Sequence, residues 1–151
     1  MNAMHELPPI TVSTHDFDRL VAFGLDAYVR GDRQAEFLLA EMRRATLCPP
    51  GDLPVEVVSV NCRVVYRLDE EPRVRGGLVV HPLDLKGGDE ELSASSPLGA
   101  ALLGLRVGDR MPFHDGRSGR VHVVTVEGVG WRWTGTADPA VGAGPARTSR
   151  R

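Results

Sequence analysis

The sequence predicts an α+β protein in which a short N-terminal antiparallel helical hairpin precedes an antiparallel β-sheet domain with one short helix. Apolar residues recur at helical spacing as far as Ala45, a Pro- and Gly-rich stretch follows, and beyond it the apolar period becomes two. The predicted boundaries are a flexible lead-in at 1–12, the hairpin at 13–48, a linker at 49–54, the sheet domain at 55–133 and a disordered tail at 134–151.

Each predicted helix has a start and a stop signal. Ser13 and Asp16 have the spacing of a capping box, with Asp in place of the usual Glu or Gln. Gly31 suits the end of the first helix because it tolerates a left-handed backbone, and Asp32 can cap the second helix. Pro49 ends that second helix, so each helix has about fifteen residues and a length of roughly 22 Å.

The strands are predicted from alternation. Residues 58–67 place Val58, Val60, Cys62, Val64 and Tyr66 on one face, which is typical of a half-buried strand. A second strand carries Val74, Gly76, Leu78 and Val80 on one face. The segment 121–129 is the longest apolar strand and is predicted to be central in the sheet.

The segment 96–104 predicts the short helix of the sheet domain. Ser96 is placed to cap it, Pro97 occupies the first helical position, and Gly104 stops it. Leu98, Ala101 and Leu102 are then positioned to pack on the sheet.

Composition argues for a soluble cytoplasmic protein. Hydrophobic residues make up 42% and charged residues 25% of the chain. No apolar run approaches the roughly 18 residues that cross a bilayer, and isolated Cys48 and Cys62 suit a reducing compartment. The net charge of −2 argues against a protein built to bind the nucleic-acid backbone.

Catalytic motifs are poor, so the sequence predicts no enzyme, no cofactor and no metal site. There is no Gly-rich phosphate loop, no nucleophile elbow and no metal-binding His pair. Of the five histidines, only His114 and His122 are placed to meet across a hairpin. Asp26, Asp32 and Glu36 lie at or near the hairpin tip, where carboxylates can help to hold a partner's Mg²⁺, although Asp32 is also explained as a cap.

One string resembles a known family. SPLGAALLGLRVGD, residues 96–109, is similar to the signature of the C-terminal domain of the bacterial GreA/GreB transcription elongation factors, and within that family to the Rnk-type regulators of nucleoside diphosphate kinase. Residues 41–45, Leu53-Pro54 and residues 58–64 add weaker similarity in the same order.

The resemblance implies an FKBP-like sheet domain and a monomeric regulator that docks on the β′ subunit of RNA polymerase, at the rim of the secondary channel. It meets nucleic acid only through the polymerase. The docking residues it implies are Ser95, Ser96, Pro97, Leu98 and Gly99. Some relatives carry an acidic residue where this chain has Ser95.

Two other functions stay open at this stage. The family's cleavage factors insert a long coiled coil with acidic tip residues, so Asp26, Asp32 and Glu36 suggest a transcript-cleavage factor. The predicted hairpin is too short to reach a catalytic metal from the same rim, which favours the Rnk-type function. The FKBP-like fold alone suggests a prolyl isomerase, a weak argument because fold does not imply function.

Overall fold

The computed structural model describes residues 6–132, so the predicted disordered tail at 134–151 lies outside the described residues. The elements in chain order are β1 (Thr11–Ser13), α1 (Thr14–Val29), α2 (Gln34–Arg44), β2 (Thr46–Cys48), β3 (Cys62–Leu68), β4 (Arg75–Val80), β5 (Glu91–Ser93), α3 (Pro97–Leu102), β6 (Arg110–His114) and β7 (Val121–Arg132). No helix among the described residues is long and apolar enough to cross a membrane.

The helices α1 and α2, which we call the helical pair, pack on each other. Ser13 caps α1 as predicted, whereas the N-cap position of α2 is Arg33 and not the predicted Asp32. Ser13 Oγ accepts the Asp16 amide at 3.1 Å, and Asp32 Oδ1 accepts the Gln34 amide at 2.9 Å. Gly31 has a φ of +93°, the left-handed conformation that a helix end requires. A Cβ on Gly24 would lie 2.8 Å from Leu39 Cδ2, so this glycine lets the two helices approach closely.

A two-stranded parallel sheet joins both ends of the helical pair. β1 pairs with β2 through Thr11 and Thr46, the Thr11 amide donates to the Gly104 carbonyl, and the Thr46 amide donates to the Ile10 carbonyl. Residues 46–48 were predicted as the end of the second helix, but α2 ends at Arg44 because the chain extends to pair with β1. Ile10 and Val12 are buried, so the end of the predicted lead-in is part of the fold.

The main sheet has the order β5-β4-β3-β7-β6 and is mixed. The prediction of an antiparallel sheet is wrong at one edge, because β5 pairs in parallel with β4 after the intervening chain has crossed back. The prediction that residues 121–129 form the central strand is also wrong. β3 lies at the centre, between β4 and β7.

One face of the sheet packs on the helices. Cys62, Val64 and Tyr66 of β3 are buried as predicted. The β4 residues directly across from Cys62 and Val64 are Val79 and Gly77, so these two lie on the buried face. The sequence had predicted the alternate set of β4 residues, which contains Leu78. The buried core joins both helices of the pair to α3 and the sheet, through Leu20, Leu38, Met42, Ala100, Ala101, Leu102, Met111, Val124 and Val126.

Polar contacts also hold α1 to the sheet side of the molecule. Asp16 Oδ2 accepts the Val60 amide at 3.3 Å, and burial raises the pKa of Asp16. His81 is only 2% exposed; its Nδ1 accepts the Leu83 amide, and its ring stands edge-on to Phe23 at 5.7 Å. Burial lowers the pKa of His81.

The end of α2 contains an ion pair between a buried carboxylate and a partly exposed guanidinium. The Glu41 side chain is 3% exposed, and both of its carboxylate oxygens accept from Arg44, at 3.1 and 2.9 Å. Arg44 also donates to the Pro8 carbonyl at 2.7 Å and lies 3.7 Å from Met111 Sδ in β6. This guanidinium therefore joins α2, the N-terminal segment and the sheet.

Replacing Arg44→Met tests that role. The change leaves the Glu41 carboxylate buried without its partner, so we expect the free energy of unfolding in urea to fall by about 3 kcal/mol. The matched control is Arg43→Met, on the exposed neighbouring arginine, which should stay within about 0.5 kcal/mol of wild type. Equal stabilities for the two variants would contradict the role assigned to Arg44.

Candidate interaction surface

The turn at residues 93–99, between β5 and α3, is built on the Ser93 carbonyl. That oxygen accepts the Ser96 amide at 3.0 Å and the Ser96 hydroxyl at 2.7 Å. Ser96 Oγ in turn accepts the Gly99 amide at 3.0 Å, which makes it the N-cap of α3 as predicted. Pro97 occupies the first position of the helix, where a missing amide hydrogen has no cost.

Gly99 is required by a close approach to the strand. A Cβ at this position would lie 1.9 Å from the Ser93 carbonyl oxygen, so any side chain would push α3 away from β5. At the far end of α3, Gly104 has a φ of +86°, and a Cβ there would meet Ile10 at 2.6 Å. The turn is therefore held rigidly at both ends of its helix.

The outer side of the turn carries neutral groups. The Ser93 and Ser95 hydroxyls share a hydrogen bond of 2.9 Å, and the Ser95 amide donates to Ser93 Oγ. Ser95 and Pro97 are half-buried, whereas Leu98 packs against the core. Of the five predicted docking residues, Ser95, Pro97 and Leu98 are partly exposed and have no role in the cap, and Leu98 also packs against the core.

Pro97 also forms one wall of a largely apolar groove of about 590 Å³. Residues of α2 and of the turn after β6 also line it. The residues that line this groove, which we call the α2–Pro97 groove, are Arg33, Gln34, Glu36, Phe37, Ala40, Pro97, His114 and Gly116. The sequence did not predict this groove, because Phe37 and Ala40 lie outside the apolar stripe of Leu38 and Met42 that was expected to face the core. Two apolar residues beside that stripe were the sequence feature that could have indicated it.

The three predicted tip acids do not form a cluster. Asp26 pairs with Arg30 at 2.9 Å, Asp32 accepts the Gln34 amide, and Glu36 lies 3.4 Å from Arg33. Asp26 borders a hollow beside His81, whereas Glu36 borders the grooves along α2. Within residues 6–132 no group of three or more His, Cys, Asp or Glu side chains is placed to hold a metal ion.

The two histidines placed to meet across the last hairpin do not share a site. His114 pairs with Val121 and is exposed, while His122 pairs with Phe113 on the neighbouring register position. His122 Nδ1 lies 2.8 Å from Asp69 Oδ2, and this hydrogen bond, with one from the Val123 amide, lowers the pKa of Asp69. The contact ties the turn after β3 to β7.

Comparison with known proteins adds the following. Residues 53–128 match the family model described as "Transcription elongation factor, GreA/GreB, C-term". The chain is 39% identical over 103 residues to proteins named "Regulator of nucleoside diphosphate kinase" from Escherichia coli (strain K12) and Shigella flexneri, a match that covers 68% of this chain and 75% of each relative. It also resembles the solved structure of a "Prokaryotic transcription elongation factor GreA/GreB from Nitrosomonas europaea", with a TM-score of 0.64, 29% identity, and coverage of 81% of this chain and 99% of that one.

A Gly99→Ala variant tests how the turn is built. The added methyl group has no room against the Ser93 carbonyl, so we expect a loss of about 2 kcal/mol in the free energy of unfolding. Gly51→Ala is the control, because a Cβ at Gly51 meets nothing within 4 Å. Wild-type stability of Gly99→Ala would mean that α3 does not lie against β5 as described.

Proposed function

This chain belongs to the GreA/GreB family of transcription elongation factors, and we propose from that premise that it is an RNA polymerase-binding transcription regulator of the Rnk type. In this proposal it docks on the β′ subunit at the rim of the secondary channel, through Ser95, Ser96, Pro97, Leu98 and Gly99. It meets nucleic acid only through the polymerase, and it does not stimulate transcript cleavage. Its relatives named as regulators of nucleoside diphosphate kinase support the regulatory role.

The observation that carries the docking proposal is the rigidity of the Ser-Pro turn. Ser93 and Ser96 bond within the turn, and Gly99 presses α3 onto β5, so the partly open Ser95 and Pro97 are presented in one conformation. A preorganised surface binds without the entropic cost of ordering a loop. The side chains at its exposed edge are uncharged, so we expect the contact to rely on shape and apolar burial.

The absence of cleavage activity is proposed from the helical pair. At about 1.5 Å per residue, the 11-residue α2 is only roughly 16 Å long. A Cβ added at Gly116, in the turn after β6, would lie 3.8 Å from Nε2 of Gln34, the first residue of α2, so the start of α2 lies near the sheet domain. A short helical pair in this position fits docking at a rim better than insertion toward a distant metal. Its acids Asp26 and Glu36 already form ion pairs with arginines of the same chain.

The same proposal includes the finer architecture. We propose that the helical pair is the short antiparallel hairpin of the family, at residues 13–48, joined by a linker at 49–54 to an FKBP-like domain at 55–133. We further propose that the protein works as a monomer in the cytoplasm, where the polymerase is found.

Binding to purified core RNA polymerase is the direct test. We expect Pro97→Ala to weaken binding at least about tenfold, which corresponds to roughly 1.4 kcal/mol, because it removes the ring at the centre of the docking turn. Pro50→Ala is the matched control, since Pro50 also occupies the first position of a helical turn and is exposed. Equal affinities for wild type and both variants would reject the docking surface, and no binding by wild type would reject the polymerase as partner.

Cleavage is tested on a backtracked elongation complex with labelled RNA. We expect no RNA cleavage above the rate of the polymerase alone, and we expect the protein to inhibit an added Gre factor by occupying its site. If the protein itself stimulates cleavage, and Asp32→Ala with Glu36→Ala abolishes that stimulation, the family's cleavage function applies here instead.

A further inference from the structure

His81 lies at the junction between α1 and the sheet domain. It follows the last residue of β4, is 2% exposed, and precedes the short helical turn Pro82–Asp84. Its ring stands edge-on to the ring of Phe23 in α1, with 5.7 Å between the two ring centres. Nδ1 meets the Leu83 amide at 3.1 Å, whereas Nε2 lies 3.5 Å from the Arg19 carbonyl of α1. One imidazole thus contacts α1 and the turn after β4 at once.

These contacts determine which ring nitrogen carries the hydrogen. The Leu83 amide can only donate, so Nδ1 accepts and carries no hydrogen. The hydrogen of the neutral ring is then on Nε2, which faces the Arg19 carbonyl. A second hydrogen, on Nδ1, would meet the Leu83 amide donor against donor and would remove the side-chain cap of the turn. A protonated His81 ring is therefore incompatible with its present position.

The charged groups of α1 and of the turn after β4 face His81 with both signs. Asp84 and Asp16 favour a positive ring, whereas the Arg19 guanidinium opposes it. Asp84 lies 3.5 Å from that guanidinium, and Asp16 accepts the Val60 amide at 3.3 Å. Both carboxylates are thus engaged by other partners.

A third acid, Asp26 of α1, lines the hollow beside His81, and its carboxylate pairs with Arg30 at 2.9 Å. Burial outweighs these charges and lowers the pKa of His81 below its usual value of about 6.5. When folding lowers the pKa of a base, the opened state binds the proton more readily than the closed one. The opened junction therefore gains on the closed junction as the pH falls below about 6.5.

We propose that His81 is a pH-sensitive contact between α1 and the sheet domain, which holds α1 at neutral pH and releases it in mild acid when the ring takes up a proton from solvent. The proton binds Nδ1, the Leu83 amide loses its acceptor, and the ring leaves its place beside Phe23. The same step breaks the link between α1 and the turn after β4. This role of His81 does not depend on polymerase binding.

Hydrogen exchange of the full chain, followed by NMR at about pH 7.5 and about pH 5.5 and corrected for intrinsic rates, tests the proposal. One unit below a pKa of about 6.5, the opened ring is protonated about tenfold over neutral. In wild type we therefore expect the protection of the α1 amides and of the Leu83 amide to fall by about three- to tenfold relative to the β3 amides.

His81→Asn is the test variant, because its side-chain oxygen can accept the Leu83 amide but does not titrate in this range. We expect its α1 protection, relative to β3, to change by less than about twofold between the two pH values. His114→Asn is the matched control, since His114 is exposed, and it should respond to pH as wild type does.

Three results would overturn the proposal. Equal losses of protection in α1 and β3 would mean that acid acts on the whole fold, and unchanged α1 protection in wild type would mean that the contact does not respond. The same loss in His81→Asn as in wild type would assign the response to another group. The nitrogen NMR shifts of the His81 ring in wild type give a reading that needs no variant: we expect the hydrogen on Nε2 at neutral pH, and a hydrogen on Nδ1 would contradict the mechanism.

Discussion

The guanidinium of Arg44 holds together three parts of the chain that are far apart in sequence. It donates hydrogen bonds to both carboxylate oxygens of Glu41 within α2 and to the carbonyl of Pro8 in the N-terminal segment. It also lies against Met111 in β6. An ion pair of this kind adds little net stability compared with apolar packing, but the loss of Arg44 would leave the buried Glu41 carboxylate without its partner, so arrangements that separate these segments are disfavoured. Together with the burial of Leu38 and Met42 in the core, this contact sets where α2 lies on the sheet.

The position of α2 explains the remaining architecture of the helical pair. Arg44 holds the end of α2, and from Ala45 the chain is extended, so that β2 pairs with β1. Ile10 and Val12 are thereby buried beside the end of α3. His81 and Asp16 hold α1 from the other side. The two helices are therefore part of the packed body of the protein, and a groove forms where α2 faces Pro97.

Local signals in the sequence were sufficient to predict the N-caps of α1 and α3 and the two glycines that follow these helices. Ser13, Gly31, Ser96 and Gly104 act within a few residues of their partners, so their spacing alone predicts them correctly. The parallel pairings of β1 with β2 and of β4 with β5 were missed, because each depends on contacts between distant segments of only three residues. The buried face of β4 was predicted wrongly for a related reason: Gly77 is buried opposite Val64 although it has no apolar side chain to reveal it.

A long projecting arm and an α2–Pro97 groove are alternative uses of the same helix. The residues Phe37 and Ala40 line the groove only while α2 lies beside Pro97 and Gly116, and a hairpin extended away from the sheet would separate those walls. The short helical pair of this chain therefore lies beside the sheet domain, and Pro97 belongs both to the turn before α3 and to the groove.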